Sequence, residues 1–368
     1  MVDLTKWATT REIQAQREIW TNWGNHLSNS IEELREWVMA SGATQVWFCG
    51  AGTSAYIGDV VSRALDATSV LPLRSVPSTD LVSAPQAFQR KGVVPLVVSF
   101  GRSGNSTESI GTLDLLDAVF QNAPRLNITC NKDSALATRK PASGAAQKTI
   151  ILPEQCHDSG FAMTSSFTTM VLTALCVFGQ ENPEKIAKNM EELGQAAEMV
   201  IAASDHLAQQ LTAPQRAVFV GSGPLMFVAR ESALKVMELA AGQIPAIWES
   251  SLGFRHGPKS FVTAGTKVFL FISNNPHSRK YDLDLAAEIK AQFGKDTLLT
   301  IGNTNDADIR IPCLLDDGWT SVLNVLVAQW LGIFWAEELG LNVDNPFEGQ
   351  GTLTRVVSGV KLYALEEV

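Results

Sequence analysis

The sequence predicts a parallel-sheet α/β fold built as two tandem copies of one three-layer α/β/α unit, on three observations. After Ser41-Gly42, short apolar runs each break at Gly, Ser or Asn and give way to helical patterning, the texture of buried parallel strands alternating with helices. Second, Val46-Trp-Phe-Cys-Gly-Ala-Gly52 lies over Ala217-Val-Phe-Val-Gly-Ser-Gly223 at an offset of 171 residues, each Gly-x-Gly opening a helix. Third, later strands recur at matched distances from those glycines. Pro95–Phe100 starts 45 residues beyond Gly50 and Val268–Ser273 starts 47 beyond Gly221, while Leu126–Cys130 and Thr297–Ile301 each start 76 beyond. A length of 368 residues, by itself a prior of two domains, agrees.

Taken in order, residues 1–40 hold four of the nine tryptophans, with Ile13, Trp20, Leu27, Ile31 and Leu34 at helical spacing, and read as helices lying across a larger body. Residues 41–180 form the first copy, closing with a strand near Ile150 and an apolar helix over Ser165–Gly179. The segment 181–214, rich in Glu, Ala and Gln, reads as a helical connector. Residues 215–368 form the second copy, closing with a strand near Ile309 and a helix over Thr320–Gly340. The first residues carry no apolar signal region, and no apolar run approaches the ~20 residues of a membrane helix; the longest, Val93–Phe100, is strand-sized. A cytoplasmic protein without membrane contact is expected.

Composition narrows the function. With 45% hydrophobic and 18% charged residues the chain is an ordinary globular protein. A net charge of −9 argues against a wide nucleic-acid footprint, though not against a small anion held by local backbone dipoles. The five cysteines (49, 130, 156, 176 and 313) show no CxxC spacing and read as reduced, buried thiols.

In parallel sheets ligands bind beyond the carboxyl ends of the strands, so the loops there carry the chemistry. Gly101-Arg-Ser-Gly-Asn-Ser-Thr-Glu108 leads into a helix read as Ser109–Phe120. A single cap needs one hydroxyl, but Ser103, Asn105, Ser106 and Thr107 crowd around Gly104, an excess that suits a phosphate at a helix N-terminus. Arg102 is expected to add charge. Gly52, Thr53 and Ser54 open the neighbouring helix with two more hydroxyls. A dinucleotide site does not fit, because the glycines run Gly-x-Gly-x5-Gly58 and no acidic residue ends the next strand near Leu71–Val76; no P-loop is present either. The expected ligand is a phosphorylated small molecule, with no cofactor and no metal: His157-Asp158 has no partner at zinc spacing, and no GxSxG elbow occurs.

The second copy is poorer in loop hydroxyls but places Glu231, Lys235 and Glu238 on one helix face. That face is either a solvated salt-bridge stripe or the wall of a cleft. Shortly after it, Gly253-Phe-Arg-His-Gly-Pro-Lys259 presents Arg255, His256 and Lys259 in a tight turn. A loop histidine is ordinarily just exposed; beside a phosphate site and a carboxylate, His256 becomes a proton-transfer candidate.

These residues carry a resemblance. The Gly-Thr-Ser loop at 50–54, the Ser-Gly-x-Ser loop at 103–106 and the tandem units resemble sugar isomerase (SIS) domains. More narrowly, Gly50-Ala-Gly-Thr-Ser-Ala-Tyr-Ile-Gly-Asp59, Ser99–Ser106, Gly160–Ser166, Glu231–Leu239, Gly253–Ser260, Tyr281-Asp-Leu-Asp284 and Arg355–Gly359 are similar to the AgaS proteins of amino-galactose catabolism. Such proteins are described as D-galactosamine-6-phosphate deaminase/isomerases and as tagatose-6-phosphate ketose/aldose isomerases. Through the more distant isomerase half of glucosamine-6-phosphate synthase, the resemblance implies that Thr53, Ser54, Ser103 and Ser106 hold the phosphate, with Asn105 beside them. It implies Glu238 as the base between C1 and C2, and His256 as a ring-opening group from the partner subunit of a homodimer. Two departures matter. The tail reads Leu353-Thr-Arg355 where the synthase has a Schiff-base lysine, and neither a glutaminase domain nor Cys at position 2 is present. The implied reaction therefore runs toward ammonia release: galactosamine 6-phosphate to tagatose 6-phosphate and ammonium. The alternatives are a phosphosugar isomerase without deamination, a glucosamine-6-phosphate deaminase, and a sugar-phosphate sensor; the sensor reading is disfavoured by the acidic charge and the short, Trp-rich lead.

Overall fold

The computed structural model describes residues 3–363; the first two residues and the last five of the span assigned to the second copy lie outside it. Two helices lead, α1 (Ala8–Ser28) and α2 (Ile31–Ala40). The first unit follows as β1 (Gln45–Cys49), α3 (Thr53–Leu65), β2 (Leu73–Ser75), α4 (Ser78–Ser83), β3 (Pro95–Gly101), α5 (Thr107–Ala118), β4 (Arg125–Thr129), α6 (Ala135–Thr138), β5 (Gln147–Ile151) and α7 (Ser165–Phe178). One long helix, α8 (Pro183–Ala208), then connects to β6 (Arg216–Gly221), α9 (Pro224–Leu239), β7 (Ala246–Ser250), β8 (Thr266–Ile272), α10 (Pro276–Phe293), β9 (Leu298–Gly302), β10 (Ile309–Arg310) and α11 (Asp317–Glu338).

Both sheets are wholly parallel and have one topology, β2-β1-β3-β4-β5 and β7-β6-β8-β9-β10. The repeat seen in the sequence is thus a repeat of strand order. In each sheet the order reverses between the first and third strands, so the loops after β1 and β3 diverge and leave a crevice at their carboxyl ends.

The sheets face each other across a shared helical layer in which α3 packs on α7 and α9, and α11 packs on α8 and α9. One apolar core runs through both units: Phe48 contacts Phe100 and Phe178, and Phe269 contacts Phe219 and Trp335. Helix α1 lies across α7, with the Trp20 and Trp23 indoles donating to Thr168 (3.2 Å) and Thr173 (2.8 Å). The outer sheet faces are covered by α5 (Leu115, Leu116) and α10 (Leu285, Ile289). All five cysteines are buried and unpaired.

Three expectations shift. Helix α5 begins at Thr107 rather than Ser109, because Ser106 caps it. Helix α11 begins at Asp317, three residues early, because the Asp316 carboxylate accepts from the Gly318 and Trp319 amides. With 22 residues, α11 is long and apolar enough to cross a membrane, although Asn324 and Gln329 break its apolar run in the sequence. Here α11 is a core helix, and Gln329 accepts from the buried Gln16 amide at 2.9 Å.

Candidate active site

The site begins with two strand-to-helix turns that only glycine permits. A Cβ on Gly50 would lie 2.5 Å from the Ser54 backbone, and Gly52 sits at φ 56°, ψ −130°. Gly223 repeats that geometry at φ 58°, ψ −129°, so the two loops share one shape. In the first unit the turn sets Thr53 and Ser54 in the first turn of α3. The Ser54 hydroxyl donates to the Met163 thioether at 3.7 Å, a weak acceptor that a ligand oxygen can replace.

Across the crevice, the Ser106 hydroxyl caps α5, accepting from the Ser109 amide at 3.2 Å. Asn131 holds the loop through the Ser103 carbonyl (3.1 Å), and Asn105 turns away to accept from the Ala135 amide (2.8 Å). Gly52, Thr53, Ser54, Ser103 and Ser106 line one cleft of about 340 Å³, into which the N-termini of α3 and α5 converge. Asn105 and Thr107 do not line it; Asn105 shapes the loop, and the Thr107 amide donates to the Val357 carbonyl at 3.2 Å.

The second unit's loops are closed by its own carboxylates. Asp282 accepts from the Ser222 and Ser251 hydroxyls, both at 2.5 Å, and from the Ser273 amide at 3.0 Å. Asp317 takes the Ser273 hydroxyl and the Asn274 amide. The loop hydroxyls of the second unit are therefore taken up by its own carboxylates.

Helix α9 supplies the far wall. The charged face is not solvated: Glu231 is fully buried, Lys235 is 1% exposed, and Glu238, 21% exposed, lines the cleft. Lys235 Nζ binds the Glu238 carboxylate, lies 3.3 Å from Glu231 and donates to Thr53 Oγ1 at 3.0 Å. Thr53 Oγ1 in turn donates to Glu231 at 3.2 Å. One hydroxyl of the first copy thus joins the charged trio of the second. Burial pushes the Glu231 carboxyl up to about 8 despite Lys235 beside it. Burial works against the Lys235 charge, but the two carboxylates outweigh it and hold the ammonium above its ordinary range.

Arg102 acts differently from the expected role of added charge at the loop, and Arg355 works beside it. The Arg102 guanidinium, 6% exposed, donates to the carbonyls of Gly160 (3.0 Å), Phe161 (3.0 Å), Ala162 (3.3 Å) and Arg355 (3.0 Å). Arg355 reaches the carbonyls of Gly160 (3.2 Å) and Asp158. Together they fasten residues 353–357 over the cleft. Asp158 is fully buried and accepts from the amides and hydroxyls of Thr164, Ser165 and Ser166, so it caps α7 and is saturated.

Arg255 is held by Glu288 (2.6 Å) and Asp284 (2.8 Å), and Lys259 by Glu288, all away from the cleft. His256 is exposed and does not line its own chain's cleft. Sequence reasoning also missed Thr79, Glu108, Phe161 and Met163, which line the cleft as well; Phe161 and Met163 sit in the Gly160–Ser166 motif, the one signal that marked them. A separate apolar cleft at Val38, Met39, Leu71 and Phe178 has one charged side chain, Arg35, already bound to the Cys176 and Glu181 carbonyls. It offers no acid/base pair.

The SIS domain matches residues 40–178, the unit with the open loops. D-galactosamine-6-phosphate deaminase AgaS of Shewanella sp. strain ANA-3 is 36% identical over 372 residues, covering 96% of this chain and 91% of the relative. The Escherichia coli protein of that name is 34% identical, covering 96% and 95%. The chain belongs to the AgaS family. AgaS membership spans both units and the connector, well beyond the SIS match. The crystal structure of tagatose-6-phosphate ketose/aldose isomerase from Escherichia coli superposes with a TM-score of 0.87 at 31% identity, covering 100% of this chain and 99% of that one. The tandem parallel sheets are therefore the AgaS fold.

Proposed function

We propose that this AgaS-family chain is a hydrolase acting on a C–N bond, converting D-galactosamine 6-phosphate to D-tagatose 6-phosphate and ammonium. The observation that carries the reading is the Thr53 bridge, which sets an open hydroxyl-lined anion cleft against the Lys235–Glu238 pair. Names borne by full-length relatives point the same way.

In this reading the first unit, residues 41–180, binds the 6-phosphate through Gly52, Thr53, Ser54, Ser103 and Ser106, with Asn105 and Thr107 shaping the loop. The second unit, 215–368, supplies acid/base chemistry, and 181–214 joins them. Glu238 removes the C2 proton of the open-chain aldehyde, giving an enolamine, and returns a proton to C1. Water then adds to the resulting C2 imine and ammonium leaves. Lys235, kept charged by its bond to the Glu238 carboxylate, orients Glu238 and is a poor nucleophile, and the Arg355 guanidinium is no Schiff-base former either. The imine is the substrate's own. His256 opens the ring in the cleft of the other copy of a homodimer, which accounts for its exposure here. In this reading the enzyme acts in the cytoplasm, where phosphorylated sugars are metabolised.

The test is ammonium release from galactosamine 6-phosphate, glucosamine 6-phosphate and unphosphorylated galactosamine. Release from the first with tagatose 6-phosphate as co-product supports the reading. Ketose/aldose interconversion without ammonium would establish instead the second reading, to which the name of the Escherichia coli structural relative points.

A further inference from the structure

We propose that Arg230 is a positioning residue of this active site, clamping α9 to α3 so that Lys235 and Glu238 stand in register with Thr53; the proposal rests on the deaminase reading above. Among the described residues, Arg230–Asp59 is the only ion pair joining the first unit to the second, with Nη1 2.8 Å from the Asp59 carboxylate. The guanidinium also lies 4.1 Å from the ring centroid of Tyr56 on α3 and 5.3 Å from that of Trp248 on β7. One side chain therefore fastens three elements from both units.

Its place in the chain gives the clamp its meaning. Arg230 directly precedes Glu231, while Tyr56 and Asp59 follow Thr53 by one and two turns of α3. Two polar tethers thus connect the helices: Thr53 to Glu231 and Lys235, and Asp59 with Tyr56 to Arg230. Apolar packing on α3, α11, β6 and β7 seats α9 in the core, and the polar tethers add directional contacts that packing alone does not supply. The second tether fixes the rotation, and with it the reach of Glu238 into the cleft.

A partly buried ion pair adds little net stability, because desolvation offsets much of the attraction; burial indeed holds the Asp59 carboxyl above its ordinary range although Arg230 pulls it down. The pair contributes orientation instead. A planar guanidinium stacks and pairs at once, which a lysine cannot do. Neither Arg230 nor Asp59 lines the cleft, so they act on the reaction only through α9.

The experiment compares the wild type, Asp59→Asn, Arg230→Gln and Arg230→Lys as full-length proteins, measuring kcat and KM for ammonium release from galactosamine 6-phosphate together with Tm. A misplacement of about 1 Å lowers turnover by about 10²-fold, so Asp59→Asn and Arg230→Gln should lower kcat by about 10- to 100-fold while KM stays within about threefold. Arg230→Lys, which keeps the charge and loses the stacking, should recover part of kcat. A fall in Tm with unchanged kcat per folded enzyme would show a merely structural pair and overturn the proposal; so would a rise in KM alone. If the wild type interconverts ketose and aldose phosphates without ammonium, the deaminase reading fails and the same kcat comparison on the isomerisation decides the clamp. No turnover by the wild type in either assay overturns both.

Discussion

Replacing Glu231 by Gln should change how stability depends on pH. The Glu231 carboxyl is fully buried and sits at about 8 instead of 4.5, because burial disfavours its charge more than Lys235 restores it. A carboxyl that holds its proton more tightly folded than unfolded contributes its full stability below the unfolded value and loses it as pH rises through the folded one. From 4.5 to about 8, at ~1.4 kcal/mol per pH unit, the loss amounts to as much as roughly 5 kcal/mol. Gln keeps the size of the side chain and an oxygen to accept from Thr53 and Lys235, but never ionises. The unfolding free energy of Glu231→Gln minus that of the wild type should therefore climb between pH 5 and 8 and then level. Urea unfolding followed by tryptophan fluorescence across that range measures it. A difference that is flat, or that falls with pH, would mean Glu231 is ionised throughout and would refute the reasoning.

Three further outcomes follow from the geometry. Ser103→Ala with Ser106→Ala should raise KM for the phosphorylated sugar far more than it lowers kcat, checked by steady-state kinetics; equal activity on unphosphorylated galactosamine would exclude the phosphate cleft. In the proposed homodimer with shared clefts, mixing Glu238→Gln and His256→Ala subunits should raise activity above that of either variant alone, because one cleft then receives both intact groups; no recovery on mixing would overturn the proposed role of His256. Gly58→Ala puts a Cβ 2.6 Å from the Phe48 Cβ where α3 packs on β1, and should lower stability by about 1–3 kcal/mol, seen as a reduced Tm.

The strands, the repeat and the hydroxyl-rich loops after β1 and β3 were legible because they are local signals: apolar runs of strand length, and glycines where a tight turn demands them. β7 went unread since its apolar stretch is short, Ala246-Ile-Trp248 between Pro245 and Glu249, at a half-buried sheet edge. The direction of the Arg102 side chain was equally invisible, because its four carbonyl partners lie 58 to 253 residues away in sequence. Helical spacing put Glu231, Lys235 and Glu238 on one face but could not say what that face meets; its partner, Thr53, is 178 residues upstream of Glu231. For the same reason the role of the Asp282 and Asp317 carboxylates in closing the second unit's loops was invisible, although Asp282 lies in the Tyr281–Asp284 motif.

The claim that joins these parts is that phosphate loops from one unit and a base from the other act on one amino sugar. Ammonium release from galactosamine 6-phosphate by the wild type and by Glu238→Gln tests it most directly. The account predicts release by the wild type and a fall of roughly 10²–10⁴ in kcat for the variant with KM little changed. Near-normal turnover by Glu238→Gln, or no ammonium from the wild type, would contradict it.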